Sequence, residues 1–419
     1  MSMAANISPS GNAAGPELSL YHRLDPEVLA DPYPLYRRLR TEDPVHWDPF
    51  LHAWVVTRYA DVATVLQRCS AKRMPTPEQL DLLGLSELNP IAQVLVRQMI
   101  FMDAPAHTRL RALCASAFTP ARAAALRSHI QDIADRLIDS VEYRGRMDVI
   151  ADFADLLPAT VTAELMGVPV EDCDQLKSWS KDFSEMLGNF QHNPGRVAHM
   201  LKIVEEMTAY YRDRIREQER EPREGVVHAL MTAEIDGDRL SEEEVIANCI
   251  ITMTGGQETT TNLIGNGLLA LFRNPDQLNR LRTEAEPSLM ASAVEELLRY
   301  ESPIQHTGRL APTDMELGGK QIRKRHAVLA VIGAANRDPD RFTNPDRLDL
   351  ARPDNRHLAF GWAAHYCFGA PLARVEGQVA LSTLLRRLRH LALEPVPLVW
   401  RRNMAFRGLE ALPVTFEPG

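Results

Sequence analysis

The hydrophobic pattern predicts a mainly α chain with small β-sheets. Three observations carry this. Apolar residues recur at helical spacing through most of 119–235, with breaks at Arg144-Gly145, Gly167-Val168-Pro169 and Asn193-Pro194-Gly195. A helical pattern of about 33 residues, roughly 50 Å of helix, begins at Ser241-Glu242-Glu243-Glu244 and runs to Asn274-Pro275. Its start has capping-box spacing. Strand-like alternation is confined to short stretches: 44–47 with 53–57, 308–335 turning at Gly318-Gly319, and a final pair carrying 407–414.

The remaining elements follow in order. Residues 1–17 are small and polar and predict a flexible tail, leaving 18–419 as the folded part. Leu24–Arg40 predicts a short helix, and Tyr59–Arg68 another with Val62, Val65 and Leu66 on one face. The prolines at 75, 77 and 90 predict a long irregular segment over 70–100, of the kind that often carries function. Asp103-Ala104-Pro105 opens a helix, Ser288–Tyr300 forms the next after the long one, and a further long helix follows Cys367 to about Arg389. The break at 193–195 reads as the tip of a mobile lid.

Composition narrows the class. The 419 residues are 45% hydrophobic and 25% charged, enough for a large core. The net charge of −9 argues against a nucleic-acid binder. Five scattered cysteines form no disulfide framework and fit a reducing cytoplasm. No apolar run is long enough to span a membrane, and the N-terminus has neither a basic region nor an apolar stretch.

Four patterns carry chemistry. Cys367 lies between glycines in Phe360-Gly361-Trp362-Ala363-Ala364-His365-Tyr366-Cys367-Phe368-Gly369, just before a helix with Pro371 in its first turn. A helix N-terminus stabilises a thiolate. Such a shielded thiolate suits a soft metal or a haem iron; the alternative is a buried structural cysteine. His107 and Arg111 share a helix face, either as a solvated basic face or as a clamp on an anion. Thr254-Gly255-Gly256-Gln257-Glu258-Thr259-Thr260-Thr261 weakens the middle of the long helix, its two glycines by about 2 kcal/mol against alanine. This predicts a bend, made either by a ligand pressed against the helix or by a helix crossing. Glu296 and Arg299 also share a face; taken alone, such a pair is usually a surface ion pair.

Together these stretches resemble the cytochromes P450, of the soluble bacterial type, over about residues 20–415. The cysteine stretch is similar to that family's haem-ligand loop at Phe360, Gly361, His365, Cys367 and Gly369, with Ala363 where the family has glycine. Residues 255–260 resemble its oxygen-binding motif. Glu296, Arg299 and Arg352 match its structural triad. His107, Arg111, Arg309 and His365 match its propionate contacts.

The resemblance implies the cytochrome P450 fold, with haem b between the long central helix and the Cys-loop helix. It also implies a monooxygenase that inserts one oxygen atom of O2 into a lipophilic small molecule. Cys367 would be the metal ligand. Gly255 and Gly256 would border the cofactor, and Glu258 and Thr259 would manage protons. Electrons would come from a ferredoxin and ferredoxin reductase docking over the Cys367 face, with Arg109 and Arg374 as candidate contacts. Substrate would touch the 70–100 segment, Ile251, Thr254, Gly255, Ile304, His306 and Met404. The loop style resembles enzymes that tailor polyketides and macrolides, with catabolic hydroxylation of a terpene or aromatic as the alternative. A haem gas sensor or a peroxide-driven peroxygenase would not need the Glu258-Thr259 pair. A cytoplasmic monomer is expected.

Overall fold

The helix Glu242–Phe272 runs through the middle of the molecule and joins two cores. The computed structural model describes residues 18–115, 118–189, 194–284 and 286–417. The expected tail over 1–17 and the Asn193 end of the expected lid tip lie outside the described residues.

The capping box forms as predicted. Glu244 N–H donates to Ser241 Oγ at 3.2 Å, and Ser241 N–H donates to Glu244 Oε2 at 3.0 Å. Val245, Ile246, Cys249, Ile250 and Met253 enter one core, with Phe183, Met207 and Tyr211. Leu263, Ile264, Leu268 and Leu271 enter the other, with Leu297, Val379 and Leu384. The stretch between them is buried on one side and faces a cavity on the other.

The helix continues unbroken through Gly255-Gly256. The two glycines make space. A Cβ on Gly256 would stand 2.8 Å from Thr162 Oγ1, so this glycine admits the neighbouring helix Leu156–Met166. A Cβ on Gly255 would meet nothing within 4 Å, because it points into the cavity.

Strands Val45–Asp48, Ala53–Val56, Ala327–Ala330 and Thr307–Leu310 form a four-stranded sheet in that order. The pairing of 53–56 with 327–330 is parallel, and the others are antiparallel. The Gly318-Gly319 turn joins Met315–Leu317 to Lys320–Ile322 as expected.

Three expectations need correction. The single helix over 24–40 is three short pieces, Leu20–Leu24, Pro26–Ala30 and Tyr33–Glu42, divided where Pro26 and Pro34 each start a new helix. The 70–100 segment is not irregular: it contains helices Pro77–Leu82 and Asn89–Leu95, each begun by a proline in its first turn. The final strand does not pair within 407–414. Pro413–Thr415 lies between Ala392–Leu393 and Arg146–Asp148, and the latter strand was not anticipated.

Candidate active site

The cysteine loop is held by its own backbone. Cys367 N–H donates to the Phe360 carbonyl at 2.8 Å. Gly361 turns with φ +76°, and Ala363 sits at φ +55°. The helix Ala370–Arg387 starts directly after Gly369. The Cys367 side chain is surrounded by protein yet open to the cavity, which explains why it counts as exposed. Burial pushes its thiol above the ordinary range; the N–H groups of Gly369 and Ala370, then Arg111 and Arg374, pull it down.

The cavity holds about 310 Å³. Cys367, Phe360, Gly361 and Gly369 form one wall; Ile251, Thr254, Gly255, Gly256 and Thr259 of the central helix form another. His107, Arg111, Arg309 and His365 converge along one side. The rings of His107 and His365 lie 4.1 Å apart between centroids. Burial, then the neighbouring His107, pushes the His365 imidazole down to about 4. His107 is lowered by burial and then by Arg111. Its Nε2 and the Nε of Arg309 are buried without a hydrogen-bond partner. Arg111 donates through Nη2 to the Tyr366 carbonyl at 2.6 Å, which ties its helix to the cysteine loop.

Thr259 and Glu258 diverge. Thr259 lines the cavity, and its Oγ1 donates to the Gly255 carbonyl at 2.6 Å. Glu258 is absent from the cavity wall. Its two oxygens accept from Arg401 Nη1 at 2.8 Å each, and one also accepts from Asn262 Nδ2 at 3.1 Å. Asp155 stands 3.5 Å from the same arginine.

Below the loop, Glu296, Arg299 and Arg352 meet, the first two fully buried and Arg352 half-buried. Arg299 donates to both oxygens of Glu296 at 2.7 and 2.8 Å. Arg352 Nε reaches the same carboxylate at 3.0 Å, and Asn355 and the Asp349 N–H complete it. The pair is therefore not a surface ion pair.

Of the expected substrate contacts, Ile251, Thr254 and Ile304 line the cavity. His306 and Met404 do not. Met404 packs with Leu20, Tyr36 and Leu39, and the turn that Asn403 Oδ1 caps carries Phe406 to the wall in its place. Arg109 and Arg374 are already paired within the chain. Arg109 is engaged by Asp238, Glu244 and the Arg239 carbonyl, and Arg374 by Glu295.

Two wall residues had escaped notice. Arg73, from the 70–100 segment, lines the cavity near Arg309. Its only sequence signal is a glycine, Gly308, whose missing side chain leaves room for the arginine stem. Glu376 sits 1% exposed in the helix after Cys367 with Oε2 unpartnered, and burial pushes its carboxyl up to about 8. A Glu nine residues after the cysteine gives no signal by spacing alone.

The model of the family described as Cytochrome P450 matches residues 55–399. The chain belongs to the cytochrome P450 family. The biotin biosynthesis cytochrome P450 of Bacillus subtilis (strain 168) is 39% identical over 93% of this chain and 98% of its own length. The polyketide biosynthesis cytochrome P450 PksS of the same organism is 35% identical over 95% and 99%. The crystal structure of P450BioI with an acyl carrier protein bearing hexadec-9Z-enoic acid superposes with a TM-score of 0.87 at 37% identity, covering 93% of this chain and 100% of that one. A cytochrome P450 is a monooxygenase with a haem-iron cofactor and takes its electrons from redox partners, and the mainly helical architecture with small sheets is the fold of this family. No helix among the described residues is long and apolar enough to cross a membrane.

Proposed function

We propose that the protein oxygenates a lipophilic polyketide or macrolide-like small molecule at the cavity between Cys367 and Gly255, using haem b. The carrying observation is the meeting of unlike groups on one cavity: a cysteine sulfur on one wall, an open glycine on the other, and buried nitrogens of Arg309 and His107 left without a partner along one side. That donor set fits a flat apolar cofactor with a soft-ligand metal and two carboxylates. When bound, the haem iron supplies the activation of dioxygen and the transfer of one oxygen atom to substrate.

The residues would act as follows. Cys367 would be the thiolate ligand, with its negative charge supported by the Gly369 and Ala370 N–H groups and the helix N-terminus behind them. His107, Arg111, Arg309 and His365 would bind the haem carboxylates through charge-assisted hydrogen bonds. Glu296, Arg299 and Arg352 would hold the segment under the loop. Thr259 Oγ1 already donates to Gly255, so its lone pairs are left to accept a water from the cavity and orient that water's proton. Glu258 would supply protons only when its pair with Arg401 opens.

The apolar lining, with Ile251, Ile304, Met99, Leu187 and Phe406, supports a lipophilic substrate. The kinship with PksS supports polyketide tailoring. Electrons would come from a ferredoxin and its reductase on the Cys367 face. There the exposed Arg122 lines a shallow cleft with Phe368 and Pro371. Residues 18–419 would act as one catalytic unit, as a cytoplasmic monomer.

The test is spectroscopic. The reduced carbon monoxide complex of the purified protein should show the band from which the family takes its name. Cys367→Ser should lose it, and a mutant that kept it would remove Cys367 from the ligand role. Screening polyketide, fatty-acid and terpene panels for binding spectra then ranks the substrate classes.

A further inference from the structure

Arg73 is a cavity residue that the roles above leave unused. Its backbone is pinned close to the strand that carries Arg309. Ser70 and Leu310 exchange hydrogen bonds at 2.8 and 2.9 Å. Asp103 accepts from Ser70 Oγ and, at 2.8 Å, from the Ala71 N–H, which secures the turn leading to Arg73. The side chain then crosses the strand at Gly308, where a Cβ would stand 3.1 Å from Arg73 Cδ. It ends over the Phe101 ring, with Cζ 4.4 Å from the centroid. Backbone, stem and guanidinium are all placed, yet Nη1 is buried with no hydrogen-bond partner. Among the described residues no carboxylate forms an ion pair with it. Burial and then Arg309 push its guanidinium down to about 9.

Charge decides what the missing partner is. Arg73, Arg111 and Arg309 are three cations on one cavity. The carboxylate whose field reaches Arg309, His107 and His365 is Asp103. Two further negative charges would neutralise the three cations. Haem b carries two carboxylates, so the balance closes without one from the substrate. A buried guanidinium does not shed its charge, so it needs an anion.

We infer that Arg73 is a further cofactor-anchoring residue, which binds a haem carboxylate alongside Arg309 through the gap left by Gly308. This rests on the haem-thiolate reading. The Phe101 ring supports the guanidinium, whose planar fork favours paired hydrogen bonds to a carboxylate.

The test measures haem loss from the ferric holoprotein to excess apomyoglobin, in wild type, Arg73→Met and Arg73→Lys. Met keeps the apolar stem and loses the charge; Lys keeps the charge and loses the planar fork. Arg73→Met should release haem roughly tenfold faster or more, as expected for a lost hydrogen bond to a charged group. Arg73→Lys should stay within about threefold of wild type, since a charge-assisted contact survives. Equal rates in all three proteins would overturn the inference. So would equally fast loss from both variants, which would show that packing on Phe101 is what matters. Palmitate and hexadecanol provide the substrate arm: weaker palmitate binding in Arg73→Met, with hexadecanol binding and haem loss unchanged, would move Arg73 to a substrate carboxylate and overturn it too. A wild-type protein that takes up no haem would overturn the haem reading itself, a result distinct from all of these.

Discussion

Two arginine clusters, one around Glu296 and one around Arg309, differ in what they lack. Around Glu296, every guanidinium nitrogen has a protein acceptor: Arg299 reaches Glu296 and the carbonyls of Asn336, Pro345 and Arg347, and Arg352 reaches Glu296 and the carbonyls of Thr343 and Arg347. Around Arg309 the acceptors run short, and Arg73, Arg309 and His107 each leave a buried nitrogen unpartnered. A protein that buries charge at several kcal/mol per ion must compensate it. The first cluster is compensated within the chain, so it is structure. The second is not compensated within the chain, which is why it is proposed as a site.

Breaking the satisfied cluster should give the largest effect. Glu296→Gln leaves Arg299 and Arg352 buried with half a partner and should cost about 3–5 kcal/mol in urea unfolding, with or without haem. A loss under about 1 kcal/mol would mean that the cluster is not compensated as the distances suggest.

Glu376 sharpens the comparison because it is an unpartnered buried acid. Unlike an arginine, it can escape by taking a proton. Its folded pKa, raised to about 8 by burial, exceeds its unfolded value near 4.5. The folded state therefore holds the proton that the unfolded state gives up. That contribution to stability is complete below about pH 4.5 and is lost as pH rises through about 8. The expected loss is a few kcal/mol, at about 1.4 kcal/mol per pKa unit. Glu376→Gln should flatten that slope in thermal or urea unfolding; an unchanged slope would place the titration elsewhere.

Ala363 is the smaller case of local strain beside the site. At φ +55°, Ala in place of Gly costs about 1 kcal/mol. Ala363→Gly should raise the melting temperature of the haem-bound protein by about 1 °C. A fall would show that the flexibility gained in the unfolded chain outweighs the strain.

Thr259→Ala should barely move stability and should redirect electrons. The haem spectrum and substrate binding stay, while reducing equivalents go to hydrogen peroxide. Product formed per NAD(P)H oxidised reads this, and unchanged coupling would remove Thr259 from proton handling and bring back the sensor and peroxygenase alternatives. Glu258→Gln weakens the clasp on Arg401, and turnover should slow more than it uncouples.

How much of this was legible in the sequence depended on distance along the chain. The cysteine loop, the capping box at Ser241 and the Glu296–Arg299 pair are local, and their spacing alone put the side chains on the right face. Arg352 needed the family pattern, because it joins Glu296 from 56 residues away. The Glu258–Arg401 pair spans 143 residues, and no local pattern announces it. Arg73 was hidden for the same reason: its significance lies in Gly308 and Arg309, on a strand far along the chain. Met404 was misplaced by two positions because the turn around Asn403 decides which side chain faces the cavity, and a side-chain acceptor sets that turn. The helices at 77–82 and 89–95 were missed because their prolines were read as breaks rather than as first-turn residues.

The contrast between the two clusters is tested most directly by urea unfolding of Arg299→Met and Arg309→Met, each stripped of haem and saturated with it. Arg299→Met should lose several kcal/mol in both states, because its partners are in the protein. Arg309→Met should reverse sign: unchanged or more stable without haem, where it removes a buried charge whose Nε has no acceptor, and weaker by about 1.5–3 kcal/mol with haem bound, where it removes a charge-assisted hydrogen bond. If Arg309→Met costs the haem-free protein as much as Arg299→Met does, the second cluster is structure like the first, and the distinction drawn between them is wrong.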